Sequence, residues 1–192
     1  MIISLRDRVA GLHLLIPKFK VLPLSFADHS QLREKESFIE IPGRRLLKDL
    51  EGLDFSFLFD YDVFPHTIMD HVSEWQTLGR RMEIGDIIVQ QVNFPPVLAT
   101  VRLIFGVRIL EIFRSSTKVG FSYGTLQGHA EQGAAEFFFR IQDDRLQGVV
   151  HTFSLSSFFL GRLVAPVLVH PYQQYCAYKA LERMHDLFLA MN

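Results

Sequence analysis

The chain has one cysteine, Cys176. An intrachain disulfide is therefore excluded, no Cys/His set with zinc-finger spacing exists, and a reducing, cytoplasmic setting is expected. An excess of one charge is also missing. The formal net charge is -1, which leaves no global electrostatic reason to expect nucleic acid or an anionic membrane surface as partner. No run of about eighteen uncharged apolar residues occurs, so no transmembrane segment is expected. Arg6, Asp7 and Arg8 interrupt the first apolar residues, which do not read as a secretion signal. Glycine-rich phosphate loops, Ser-His-Asp order and redox cysteine pairs are absent, so no cofactor is implied. Tryptophan is down to Trp75 alone, against 18 phenylalanines; that many rings either fill a thick core or line an apolar pocket.

What the chain does have is one polar, glycine-bearing stretch between two apolar runs, Phe121 to Gly133. Val119, Phe121, Tyr123 and Thr125 alternate with Gly120, Ser122 and Gly124, the period-two pattern of a strand. Phe137, Phe138, Phe139 and Ile141 predict a second strand, which puts Gly128, His129, Glu131 and Gly133 at the turn between the two. Gly120, Gly124 and Gly128 would let a packed element or a ligand approach the backbone closely.

Strand texture begins at Ile84. Val97 to Arg114 is so long that Gly106 is expected to mark a bulge, and Asp143-Asp144-Arg145 reads as a hairpin tip before Leu146 to Ser154. Earlier, Glu34 to Glu40 reads as a strand ended by Pro42-Gly43, and Arg44 to Leu50 as a short helix. Pro65 followed by Ile68, Met69, Val72, Trp75 and Leu78 at three- and four-residue intervals predicts an amphipathic helix from His66 to Leu78. Phe158 to Val169 reads as an irregular or short helical lid. From Pro171 to Met191 apolar residues keep one face of a helix about 30 Å long. The fold class is α+β, a curved antiparallel sheet of about five to seven strands wrapped around that C-terminal helix. Residues 1–60 are expected as an N-terminal segment packed on the same domain, which 61–192 build.

Tyr123-Gly124-Thr125-Leu126, then Gly128-His129, then Glu131-x-Gly133 resembles the signature of the family called domain of unknown function nineteen-ninety, within the START/polyketide-cyclase-like helix-grip superfamily. Trp75, Phe153-Ser154, and Pro166 followed by Gln173 and Tyr178 agree with it. The resemblance covers roughly Asp60 to Leu189. It implies a helix-grip fold with a cavity between sheet and long helix, which members of that superfamily use for lipids, steroids, plant hormones or polyketides. Ala130 stands where the family usually has proline, and Ala134-Ala135 where it has two glutamates. A role served by those acids does not carry over.

In such a cavity His129 is the candidate general acid or base, with Glu131 or Tyr123 orienting it or donating to a developing enolate oxygen. Thr125, Arg108, His151, Phe153 and Gln173 are the candidate ligand-binding residues. Plainer roles stay open: His129 as a cap on its own turn, Glu131 solvated, Tyr123 a core tyrosine with a bonded hydroxyl, Arg102 and Arg108 on a solvated outer face, and His151 a satisfied lone histidine. A metal would need three or more convergent ligands, and none is assigned. The expected function is binding of a small apolar or polyketide-like molecule, with cofactor-free cyclisation, isomerisation or dehydration as its catalytic form. A non-catalytic carrier of a lipid-like ligand and a structural domain with a filled core are the alternatives.

Overall fold

The structure is a computed structural model, and it describes residues 2–4, 11–25, 32–45, 48–94, 101–156 and 170–192. The β-branched and aromatic runs after residue 86 become β4 (Ile87–Phe94), β5 (Val101–Arg114), β6 (Lys118–Thr125), β7 (Glu131–Gln142) and β8 (Arg145–Ser156). Each pairs antiparallel with the next. At the β7–β8 tip Asp143 and Asp144 have φ of 52° and 56°, the left-handed pair that a two-residue hairpin demands. β3 (Met69–Ser73) adds to the β4 edge and β2 (Arg33–Arg45) to the β8 edge, giving the order β2-β8-β7-β6-β5-β4-β3. β1 (Ile2–Ser4) pairs with β5 off this path. The sheet therefore has eight strands where five to seven were expected, since three-residue β1 has no period to read.

A turn of 3-10 helix at Leu12–Leu15 runs into α1 (Ile16–Lys20), and α2 (Ser56–Phe59) and α3 (Glu74–Thr77) are single turns. α4 (His170–Met191) is the long helix. Its Ala180, Leu181, Met184 and Phe188 are buried against Phe55, Phe137 and Phe139 in the main core. On the other side of the sheet Leu12, Ile16 and Phe19 cover Ile87, Val89, Ile104 and Leu126.

Four local expectations are corrected. Residues 66–78 are a turn on Pro65, then β3, then α3. Ile68, Met69 and Trp75 face the main core, Val72 packs on the opposite side, and Leu78 is 61% exposed, so a short edge strand plus one helical turn imitates helical spacing. Pairing of Met69–Ser73 with β4 overrides the local propensity. β2 continues through Pro42-Gly43 with a register shift before Arg45, which an edge strand tolerates because its outer N–H groups need no partner. Arg44 and Arg45 thus belong to a strand instead of a helix. The bulge in β5 is at Leu110, between Ile109 opposite Tyr123 and Glu111 opposite Ser122. Gly106 instead makes room for Phe19, whose Cδ1 would be 2.4 Å from an added Cβ. Gly124 likewise faces Leu24 at 2.9 Å, so at both positions the close neighbour is the N-terminal segment. The expected lid, Phe158 to Val169 with Pro166, lies outside the described residues, as does the start of the long strand at 97–100.

Candidate functional site

Strand alternation decides which side chains meet α4. Glu131, Gly133, Ala135 and Phe137 of β7, and Val150, Thr152 and Ser154 of β8, turn inward and line a cavity of about 680 Å³. Arg33, Lys35 and Ser37 of β2 and Gln174 and Ala177 of α4 complete part of its wall. The small side chain at Ala135 leaves space that a larger one would fill. Tyr123, Thr125, His129 and Glu131 bring polar atoms to the same cavity. The structure thus gathers four of the seven singled-out residues whose side chains are described.

His129 ends a tight turn in which its N–H donates to the Leu126 carbonyl at 3.0 Å and Gly128 has φ of 87°. The Glu131 N–H donates to His129 Nδ1 at 3.0 Å, and the Glu131 carbonyl lies 3.1 Å from the same nitrogen. With Nε2 protonated, Nδ1 accepts the Glu131 N–H; with Nδ1 protonated, it donates to the Glu131 carbonyl, so either neutral tautomer ties the ring to its turn. The imidazole therefore caps its turn and lines the cavity at once, with the Phe105 ring 4.5 Å away. Burial pushes its pKa down to about 4 from an ordinary value of 6.5, so the ring is neutral at pH 7. The folded value lies below the unfolded one, so the unfolded chain binds the extra proton between them and stability falls as pH drops from about 6.5 to about 4. The expected loss is about 2–3 kcal/mol. Urea unfolding of the wild type minus His129→Gln across that range should show it; a flat difference would sink this account of the ring.

Tyr123 belongs to a buried polar cluster. Burial pushes its hydroxyl up to about 12, against the lowering effect of hydrogen bonds with Gln90 and Tyr61. The Gln90 side-chain amide donates to Tyr61 Oη at 2.5 Å, and burial holds the Tyr61 hydroxyl well above its ordinary value too. His71 stands edge-on to Tyr61 at 4.9 Å, with its pKa lowered by burial. Tyr61 and Gln90 were not singled out from sequence, Phe105 was read only as a strand position, and His71, expected as a solvent-exposed helix residue, instead lies on β3 against Tyr61. Gln90 carried a signal, since an amide inside an apolar strand needs a buried partner.

Thr125 Oγ1 accepts the Gly133 N–H at 3.0 Å, fastening β6 to β7 beside the cavity. Arg108 is elsewhere: its Nη2 donates to the carbonyls of Lys20 and Leu22, both at 2.9 Å, and so clamps the end of α1 to the outer sheet face. His151 and Phe153 have the opposite parity to Val150 and Thr152. His151 Nε2 meets Glu34 at 2.9 Å, its ring is 4.2 Å from that of Phe153, and neither lines the cavity. Gln173 is in the first turn of α4, but its side chain lies outside the described residues. Cys176 of α4 is half-buried, its thiol pushed up to about 12 by burial. Among the described residues no three His, Cys, Asp or Glu side chains form a metal-binding group. No described helix is long and apolar enough to cross a membrane.

No curated protein matches the chain. Among solved structures it is similar to the di-domain ARO/CYC StfQ from the steffimycin biosynthetic pathway, at 10% identity and a TM-score of 0.49, with 82% of this chain and 52% of that one covered. The chain thus spans about half the length of that protein. It is also similar to an uncharacterized protein from Rhizobium leguminosarum, at 11% identity and a TM-score of 0.43, covering 84% of this chain and 97% of that one. Protein Ms6760 from Mycobacterium smegmatis shows 9% identity and a TM-score of 0.43, with coverage of 86% and 96%. A family model described as "Domain of unknown function (DUF1990)" matches residues 56–183, more than half of the chain, and the chain belongs to that family.

Proposed function

We propose that this is a START-like helix-grip protein that binds a small, largely apolar molecule, of the polyketide-like aromatic class, between its sheet and α4. The observation that carries the reading is the cavity itself. Its volume of about 680 Å³ falls within the range of about 300–1,000 Å³ typical of small-molecule sites, and its lining sets apolar Phe64, Phe137, Val150 and Leu155 beside polar and charged side chains, among them Arg33, Lys35, His129 and Glu131. Phe64 and Phe137 contribute apolar surface, the Phe137 ring being itself stacked on Phe121 at 5.6 Å and on Tyr123 at 5.7 Å, while Tyr123, Thr125, His129 and Glu131 contribute polar atoms.

In the catalytic form, the neutral His129 donates through Nε2–H and Tyr123 through its hydroxyl toward a carbonyl oxygen that becomes an enolate. The Glu131 carboxylate takes the proton from the adjacent carbon. Glu131 then returns that proton to another carbon in an isomerisation, to the departing hydroxyl as water in a dehydration, or to the oxygen of a second carbonyl attacked by the enolate carbon in a cyclisation, with no cofactor consumed. One observation favours the carrier form instead: His129 Nδ1 is already engaged by the Glu131 N–H, and the ring charges only near pH 4, so it exchanges few protons at neutral pH.

The neutral fluorophore N-phenyl-1-naphthylamine tests the cavity. Wild type should bind it saturably, and Ala135→Phe, which fills the space, should weaken binding at least about tenfold, the effect of losing one ring-sized subsite. Equal binding by a folded Ala135→Phe overturns the site. Once a ligand is recovered by native mass spectrometry and solvent extraction, His129→Gln separates the two forms. Loss of turnover with binding retained marks the catalyst, and no turnover in the wild type marks the carrier.

A further inference from the structure

We infer that the far end of the sheet carries a second binding site, for an amphipathic anion with an apolar tail and a carboxylate or phosphate head. A hollow of about 550 Å³ lies among α2, α3 and the β5–β6 hairpin, with Leu53, Phe55, Phe59, Met82 and Val119 as its apolar wall. Arg80, Arg81 and Arg114 stand around it. This hollow is separate from the first. Val119 and Tyr123 are inward positions of β6 four residues apart, about 13 Å along the strand, and Tyr61, Phe121, Phe139 and Phe188 are fully buried in the core between.

The electrostatics of the hollow are lopsided. Arg80 is held by Asp86 through bonds of 2.8 Å and 2.5 Å. Arg81 and Arg114 have no carboxylate partner among the described residues, whereas Arg140, Arg145 and Arg183 each bond a carboxylate. Arg114 lies over the Phe59 ring at 4.2 Å, a stacking that orders the guanidinium while leaving its N–H fork available. Among the described residues lining the hollow, Asp60 is the one that carries a carboxylate. Trp75 also lines it, and its Nε1 is buried without a hydrogen-bond partner among the described residues. A buried donor left unspent asks for an explanation. Two guanidinium groups with no carboxylate partner among the described residues, set above an apolar wall, fit an anionic head on an apolar body, and guanidinium forks suit planar carboxylate or phosphate oxygens.

Trp75 is the single tryptophan, so its fluorescence reports on this hollow directly. The full chain would be titrated with decanoate, decyl phosphate and the uncharged decanol. A saturable change with either anion is expected, the tighter of the two naming the head group. Decanol and the Arg81→Gln/Arg114→Gln double variant should each bind at least about tenfold more weakly, a charge-assisted pair being lost in both cases. Raising salt from about 0.05 M to about 0.5 M should weaken the anion further. Ala135→Phe should leave the response unchanged; a response abolished by that variant would place the probe in the first cavity and overturn the second site. No saturable change with either anion at millimolar concentration, or equal binding by the folded double variant, overturns it as well.

Discussion

Gly133→Ala is expected to cost more than about 3 kcal/mol, in the far tail of single-substitution effects. Gly133 is in β7 opposite Ser154 of β8, with φ of 143°, a value that L side chains rarely adopt. An added Cβ would be 1.8 Å from the Phe153 carbonyl oxygen and 3.0 Å from Ser154 Cα. Those are backbone atoms and cannot rotate aside, so the two strands must separate where they line the cavity. The Gly133 N–H bond to Thr125 Oγ1 would move with them. Gly79→Ala is the control, because Gly79 has φ of 64° but nothing within 4 Å of its would-be Cβ. That change carries the backbone cost alone, about 1 kcal/mol. Urea unfolding of both variants decides the matter; equal losses would mean that β7 and β8 part without resistance.

Phe139→Ala should destabilise by about 3–5 kcal/mol, the range for emptying a buried phenylalanine site. The Phe139 ring is fully buried and touches three others, with centroids 5.2 Å from Phe55, 6.0 Å from Phe57 and 5.1 Å from Phe188. These rings come from β7, α4 and the α2 region, so one truncation loosens three elements at once. The void would be apolar and dry, without polar groups to hold water. Thermal and urea unfolding measure the loss; a value under about 1 kcal/mol would show that the core closes over the gap, against the behaviour of well-packed interiors.

The parts of the fold legible in sequence were those whose period was unbroken over many residues. The β6–β7 and β7–β8 hairpins and α4 were readable because glycine, the Asp143-Asp144 tip and one long apolar stripe each pointed to a single answer. β3 and α3 were not, because Met69 to Thr77 divides between two kinds of structure, each too short to set a period. For the site, the turn at Gly128-His129 announced itself, and Tyr123, Thr125 and Glu131 came with it. His151 and Phe153 could not be placed on a face, since a register shift of one residue turns a strand's whole inward set outward. Only the pairing of β8 with β2, Thr152 opposite Lys35 and His151 opposite Glu36, fixes that choice. Tyr61 and Gln90 are 29 residues apart in sequence, and no local pattern joins them. Arg108 looked like a ligand clamp because its use, holding the carbonyls of Lys20 and Leu22, depends on a segment with no readable period of its own.

The family match begins at residue 56, yet β2, at residues 33–45, hydrogen-bonds to β8 along most of its length and lends Arg33, Lys35 and Ser37 to the cavity wall. One wall of the chamber therefore comes from outside the stretch that defines the family. Mutation there can change the charge and width of the chamber while the Tyr-Gly-Thr-Leu-x-Gly-His block stays as it is. A comparison confined to residues 56–183 therefore leaves the β2 wall of the chamber, with its Arg33 and Lys35 charges, unread.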